Sequence, residues 1–179
     1  MSSKKYYIAY GSNLNLEQMK RRCPTAQVVG VSELVGYKLT FKGALTNAYA
    51  TIEESTDCTV PVLIWELQPQ DEKALDRYEG YPSFYFKEMH TVVVNKESIE
   101  AMVYIMNKKY KVGFPSADYF DVIRKGYNDN GLSIEYLEKS LIESSELVNT
   151  QGEWVGYRRV LRNGITSRKY NLLRYSVIF

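Results

Sequence analysis

The carboxylate of Glu79 and the peptide groups of Gly11, Ser12 and Asn13 are the parts of this chain best placed to do chemistry. Gly, Ser and Asn favour tight or left-handed backbone, and here they join an apolar strand to a helix. Such a turn leaves free N–H groups at its tip, where the helix dipole favours negative charge. Gly11 lets a ligand reach main chain with no side chain in the way. The bland alternative is an ordinary strand-to-helix turn. Glu79 precedes Gly80, a natural helix stop, so it falls in the last turn of its helix. That is the wrong end for a carboxylate, by a few tenths to about 1 kcal/mol. The penalty falls on the ionised form and raises the pKa. A local rule broken without visible compensation is where a functional residue is expected. A solvated Glu offset by nearby Arg77 is the competing reading. Cys23 or Cys58 paired with His90 would make a thiolate nucleophile, but neither cysteine sits in a supporting motif. One His and two scattered Cys do not form a usual zinc site, so no metal is expected.

The elements that must position these groups follow from pattern. Tyr6-Tyr7-Ile8-Ala9 suits a half-buried strand. Asn15 is a good N-cap with Gln18 completing a capping box, Leu16, Met19 and Cys23 give the helix an apolar side, and Pro24 ends it. Strands are predicted over 27–31, 34–41, 48–52 and 60–67, with a loop at 43–47 and a turn in the polar run 53–57. Pro61 demotes the start of the last strand to an edge or bulge. Pro69 opens a helix with Asp71 and Glu72 in its first turn, and Ala74, Leu75 and Tyr78 line one side. Residues 84–95 and 101–107 read as a hairpin across a 96–100 turn, and His90 as an ordinary strand residue. Ser116 caps a third helix carrying Tyr119, Phe120, Ile123 and Tyr127. Asn128 to Gly131 breaks it, and Ser133 caps a fourth with Ile134, Leu137 and Leu141 on one side.

A chain of 179 residues with a net charge of +2 is most simply one domain with no general pull on polyanions. No apolar run approaches a membrane span, and Gly11-Ser12-Asn13 cuts the first apolar stretch too short for a secretion signal. Two unpaired cysteines fit a reduced, cytoplasmic protein. The 16 tyrosines suit strand surfaces, or a pocket needing apolar walls with polar tips. Composition shifts at 151: residues 151–179 carry +5 and the first 150 carry −3. With Trp154, Tyr157, Tyr170 and Tyr175 interleaved, this segment could meet nucleic acid. The simpler reading is a hairpin around Asn163-Gly164 packed on the acidic body.

Taken together the motifs resemble the γ-glutamylcyclotransferases. Tyr7 to Leu14 resembles that family's Tyr-Gly-Ser-Asn-Leu loop, and Leu75 to Gly80 its Glu-Gly motif, with Tyr85 where a strand Tyr follows. Pro115-Ser116-Ala117-Asp118-Tyr119 resembles its Pro-Ser-x-x-Tyr helix start, and the stretch from Gly126 to Tyr136 its next segment. The resemblance covers roughly residues 5–147 in order. It implies an α+β fold, a small mostly antiparallel β-barrel flanked by helices, in a 1–148 catalytic domain with 149–179 as a basic extension. It implies cyclisation of a γ-glutamyl amide or amino acid to 5-oxoproline, as in glutathione metabolism, with release of the amine and without a cofactor. Carried across by position, Glu79 is the acid/base. Tyr10, Gly11, Ser12, Asn13 and Leu14 form the substrate loop, and Tyr85 and Tyr119 line the pocket.

Pro61-Val62 stands where the family often has a glycine. The extension lies beyond the resemblance and is open to roles as a lid, a specificity element or a contact in a homodimer. A non-catalytic domain holding a small anionic metabolite in the same pocket is the alternative. Glu79 argues against it, because a pure carboxylate binder gains nothing from an acid there.

Overall fold

Two long strands dominate the molecule. The computed structural model describes residues 4–150, with side chains through 148. All but the first two residues of the predicted 149–179 extension lie outside the described residues, and those two continue a helix from the preceding segment. The first strand, β1, is Lys5–Ala9, and helix α1 is Leu16–Arg22. Strand β2 runs Gln27–Gly43 and β3 runs Ala48–Leu67, so four predicted short strands are two continuous ones. The polar run 53–57 is not a turn. Tyr37 pairs with Glu54 but Val35 pairs with Thr59, so residues 55–58 bulge out opposite Gly36. Gly36 has φ 82°, a left-handed conformation that suits glycine. Polar composition marked the break in the ladder correctly but not its kind. Pro61 lies past the last β1–β3 pair, Ala9 with Leu63, where its missing N–H is tolerated.

Helix α2 is Pro69–Glu79, with Pro69 at its start, a Gln68–Asp71 capping box, and Gly80 at φ 62° closing it. Strands β4 (Tyr85–Val94) and β5 (Glu97–Met106) form a hairpin. Its turn is the pair Asn95-Lys96, with φ of 52° and 69°, tighter than the predicted 96–100. Lys111–Val112 adds a short unpredicted strand, β6, on the edge of β2. Helices α3 (Ala117–Asp129) and α4 (Ile134–Thr150) follow. Asn15 and Ser116 cap α1 and α3, accepting from the N–H groups of Gln18 and Tyr119 at 3.0 and 3.2 Å.

The sheet order is β4-β5-β1-β3-β2-β6, antiparallel except where β1 runs parallel to β5. It curls into a half-barrel flanked by the four helices, an α+β fold. The β4 edge comes round to β2 without forming a ladder. Instead the Ser32 hydroxyl donates to the Val93 carbonyl at 2.7 Å, and the Asn95 amide donates to the Val29 carbonyl at 3.1 Å. The core includes Ile8, Leu39, Phe41, Leu63, Ile64, Leu75, Val103, Ile123 and Leu137. No helix among the described residues is long and apolar enough to cross a membrane.

Candidate active site

Central strand β1 delivers the chain to Tyr10, and Gly11 turns it out of the sheet. A single 3-10 turn, Ser12–Leu14, intervenes before α1, with the Leu14 N–H donating to the Gly11 carbonyl at 2.9 Å. The N–H groups of Ser12 and Asn13 open this turn, so neither has an acceptor within it. A β-carbon on Gly11 would stand 3.1 Å from the Ala50 β-carbon, so the loop passes β3 too closely for an unadjusted side chain. From the other side α3 presses on the loop. The Asn130 amide donates to the Leu14 carbonyl at 2.8 Å, and the Asn15 amide to the Val122 carbonyl at 3.3 Å.

Asn13 is the hub of the loop. Its side-chain N–H₂ donates to the Tyr7 hydroxyl at 2.8 Å and to Oε1 of Glu79 at 2.9 Å. Its side-chain oxygen accepts from the Arg22 guanidinium, and its carbonyl accepts from the Trp65 indole at 3.2 Å. Arg22 also lies over the Tyr78 ring, 3.2 Å from its centre, and the Tyr78 and Ser12 hydroxyls are 3.0 Å apart. Helix α2 brings Glu79 to this point. It is tied down by buried Leu75 and by Lys87 of β4, whose ammonium lies 2.7 Å from both Glu72 and Asp76.

These groups face a cavity of about 280 Å³. Tyr10, Gly11, Ser12, Asn13, Glu79, Tyr85 and Tyr119 all line it. Leu14 does not: its fully buried side chain packs beneath α3, so it supports the loop from behind. Burial pushes the Glu79 carboxyl up to about 7, against the opposing pull of Arg22 and the Asn13 hydrogen bond. Burial likewise holds Tyr7, Tyr10, Tyr85 and Tyr119 above the usual phenol range, so these side chains stay neutral hydrogen-bonding groups. Tyr85 donates to the Ala50 carbonyl at 2.7 Å while Tyr119 accepts from the Ala50 N–H at 3.2 Å, which fixes both rings against β3.

Sequence reasoning missed Tyr7, Tyr49, Phe84 and Tyr104 as lining residues, and Arg22 behind the loop. Tyr7 carried the one usable signal, since it sits on the strand that leads into the loop. Neither cysteine joins the cavity lining. The buried Cys23 thiol donates to the Asp71 carbonyl at 3.6 Å, and burial pushes its pKa up to about 11, away from thiolate chemistry. His90 contacts Glu88 and Tyr37 on β4 and β2 instead. Among the described residues no three His, Cys, Asp or Glu side chains converge to hold a metal.

Known proteins match along most of this frame. The family model for γ-glutamyl cyclotransferase, AIG2-like, matches residues 7–121. The chain is 32% identical over 142 residues to a γ-glutamylcyclotransferase of Homo sapiens, covering 74% of this chain and 75% of that protein. It is 33% identical over 150 residues to the one from Mus musculus, covering 78% and 79%. A solved structure of a γ-glutamyl cyclotransferase superposes with a TM-score of 0.69 at 29% identity, over 77% of this chain and 86% of that one. The matched stretch begins within β1 and holds the Gly11–Leu14 loop, Glu79 and Tyr119 together, and the chain belongs to the γ-glutamyl cyclotransferase, AIG2-like family of enzymes.

Proposed function

We propose that this enzyme cyclises a γ-glutamyl amide or γ-glutamyl amino acid to 5-oxoproline, with Glu79 as general acid/base. The observation that carries the reading is the meeting of Glu79 and the Ser12-Asn13 turn in one cavity, joined by the 2.9 Å bond from Asn13. The substrate's α-ammonium must lose a proton before its nitrogen attacks the γ-carbonyl carbon. Free α-amino groups titrate at about 7.7–8.0. A carboxyl at about 7 is close enough in pKa to take that proton at small cost and return it. The ring nitrogen sheds two protons in all and the leaving nitrogen gains two, so neither water nor a redox partner enters the balance.

Nucleophile and electrophile belong to one molecule. The pocket's work is therefore to hold the folded rotamer that brings them together. The Ser12 and Asn13 N–H groups suit either the α-carboxylate or the oxyanion that forms on the γ-carbonyl. Neutral Tyr7, Tyr10, Tyr85 and Tyr119 give polar tips on apolar walls without adding charge. Both cysteines are unpaired, which supports a reducing compartment.

The test is to incubate the protein with a panel of γ-glutamyl amides, γ-glutamyl amino acids and glutathione, and to measure 5-oxoproline. Release of 5-oxoproline rather than glutamate separates cyclisation from hydrolysis. Glu79→Gln is expected to fold and to lose roughly 10²–10⁴ in kcat, the usual worth of a positioned acid/base. A Glu79→Gln enzyme with the parent rate overturns its proton-transfer role. Substrates that bind without any 5-oxoproline forming would favour a non-catalytic binding domain.

A further inference from the structure

The cavity is polar at its floor and aromatic at its mouth. Tyr7, Tyr10, Ser12 and Asn13 are buried, whereas Tyr49 is 44% exposed at the rim. The Tyr49 ring meets Phe84 edge to face at 6.0 Å and Tyr119 at 5.2 Å. Phe84 is backed in turn by Tyr85 at 5.1 Å and Tyr110 at 4.7 Å. Each ring is held by the next, so this lip is a fixed aromatic surface that needs no ordering when a ligand arrives. Among the described residues Glu79 is the only formally charged side chain lining the cavity.

We infer that the preferred substrates are γ-glutamyl amides of neutral aromatic amines. The inference rests on the reading above that the floor holds the γ-glutamyl group. With the α-carboxylate at the Ser12 and Asn13 N–H groups and the α-nitrogen at Glu79, the floor is filled. The leaving nitrogen and its substituent then face the mouth, along Tyr49 and Phe84. An aromatic substituent gains ring contacts there beyond its burial. A carboxylate on the leaving group finds no cation in the lining, and the one formal charge there, Glu79, is of like sign when ionised. The bond change is the one already described: the α-nitrogen bonds to the γ-carbon, the amide C–N bond breaks, and the leaving nitrogen takes up the protons that the α-nitrogen loses.

Four substrates separate the ring from the carboxylate: γ-glutamyl-phenethylamide, γ-glutamyl-phenylalanine, γ-glutamyl-ethylamide and γ-glutamyl-alanine. Within each chemical pair, amides and amino acids differ only by the carboxylate. The ring is expected to raise kcat/KM about tenfold or more, contacts and burial together. The carboxylate is expected to lower it several-fold. Tyr49→Ala, a change at an exposed rim position, should shrink the ring effect and leave the carboxylate effect. Equal kcat/KM with and without the ring, or a ring effect that survives Tyr49→Ala intact, overturns the inference while 5-oxoproline still forms. Absence of 5-oxoproline from all four would instead overturn the proposed function.

Discussion

Both N–H bonds of the Asn13 side chain are used, and its oxygen is held by a cation, so the amide cannot turn over without loss. Its oxygen faces a guanidinium, so its N–H₂ must face Tyr7 and Glu79. Arg22 thus acts on Glu79 in two ways, through the Asn13 orientation it fixes and through its own charge. The charge holds the Glu79 pKa below where burial alone would put it. Arg22→Met should therefore move the acid limb of the kcat/KM–pH profile to higher pH. Activity should fall several-fold near pH 6 and much less near pH 9. Arg22→Lys keeps the charge but not the planar fork, so its limb should stay near that of the parent even if the rate drops. A profile of unchanged shape in Arg22→Met would leave Arg22 with packing alone. Glu79 was legible in the sequence because a carboxylate before a helix-stopping glycine breaks a local rule. Arg22 was not, because nothing in the spacing from 13 to 22 says that one turn of 3-10 helix and a short α-helix will fold the two together.

At the scale of elements, local chemistry was read well and long-range geometry less so. The caps at Asn15 and Ser116, the Pro69 start and the Gly80 stop are decided within four residues, and each was visible in the sequence. The bulge at 55–58 depends on how β2 and β3 register over their length, which polar residues alone do not reveal. One tight long-range fit is α3 against the Gly11–Leu14 loop. A β-carbon on Gly126 would stand 2.6 Å from the Leu14 β-carbon, 2.8 Å from the Leu14 carbonyl carbon and 2.9 Å from the Asn15 nitrogen. Two of those atoms are backbone, so the loop itself must shift. Gly126→Ala should cost about 1–3 kcal/mol of stability, the usual range for overpacking. Its kcat/KM should fall by up to about 10²-fold, because small displacements of positioning groups are costly. Thermal melts beside rates at 25 °C check this. A lowered Tm with full activity well below it would mean the loop does not transmit the strain.

For the whole molecule, the site is where the fold accepts a loss of stability. A half-barrel closed by side-chain bonds between β4 and β2 could not be inferred from strand patterns, since it joins residues some 60 positions apart, as in Ser32 with Val93. That same long-range closure and packing bury Glu79. Its pKa stands at about 7 in the folded protein against 4.5 for a free Glu. Between those values the folded state keeps a proton that the unfolded chain releases, so stability falls as pH rises through this window. The loss is complete above pH 7 and amounts to about 3 kcal/mol at most. Below pH 4.5 both states hold the proton and the term vanishes. Glu72, whose burial is outweighed by the hydrogen bonds and charges of Lys5 and Lys87 so that its pKa is lowered, has the opposite pH dependence. It is present in both parent and variant, so it cancels in their difference. Glu79→Gln should therefore be the more stable protein at pH 8, with a Tm higher by about 5–10 °C for a domain of this size. Near pH 4.5 the two melts should converge. A variant less stable than the parent at pH 8 would mean that the ionised carboxylate is a net stabilising partner of Asn13 and Arg22. The buried acid would then be an ordinary ion-pairing group, with no stability given up for proton transfer.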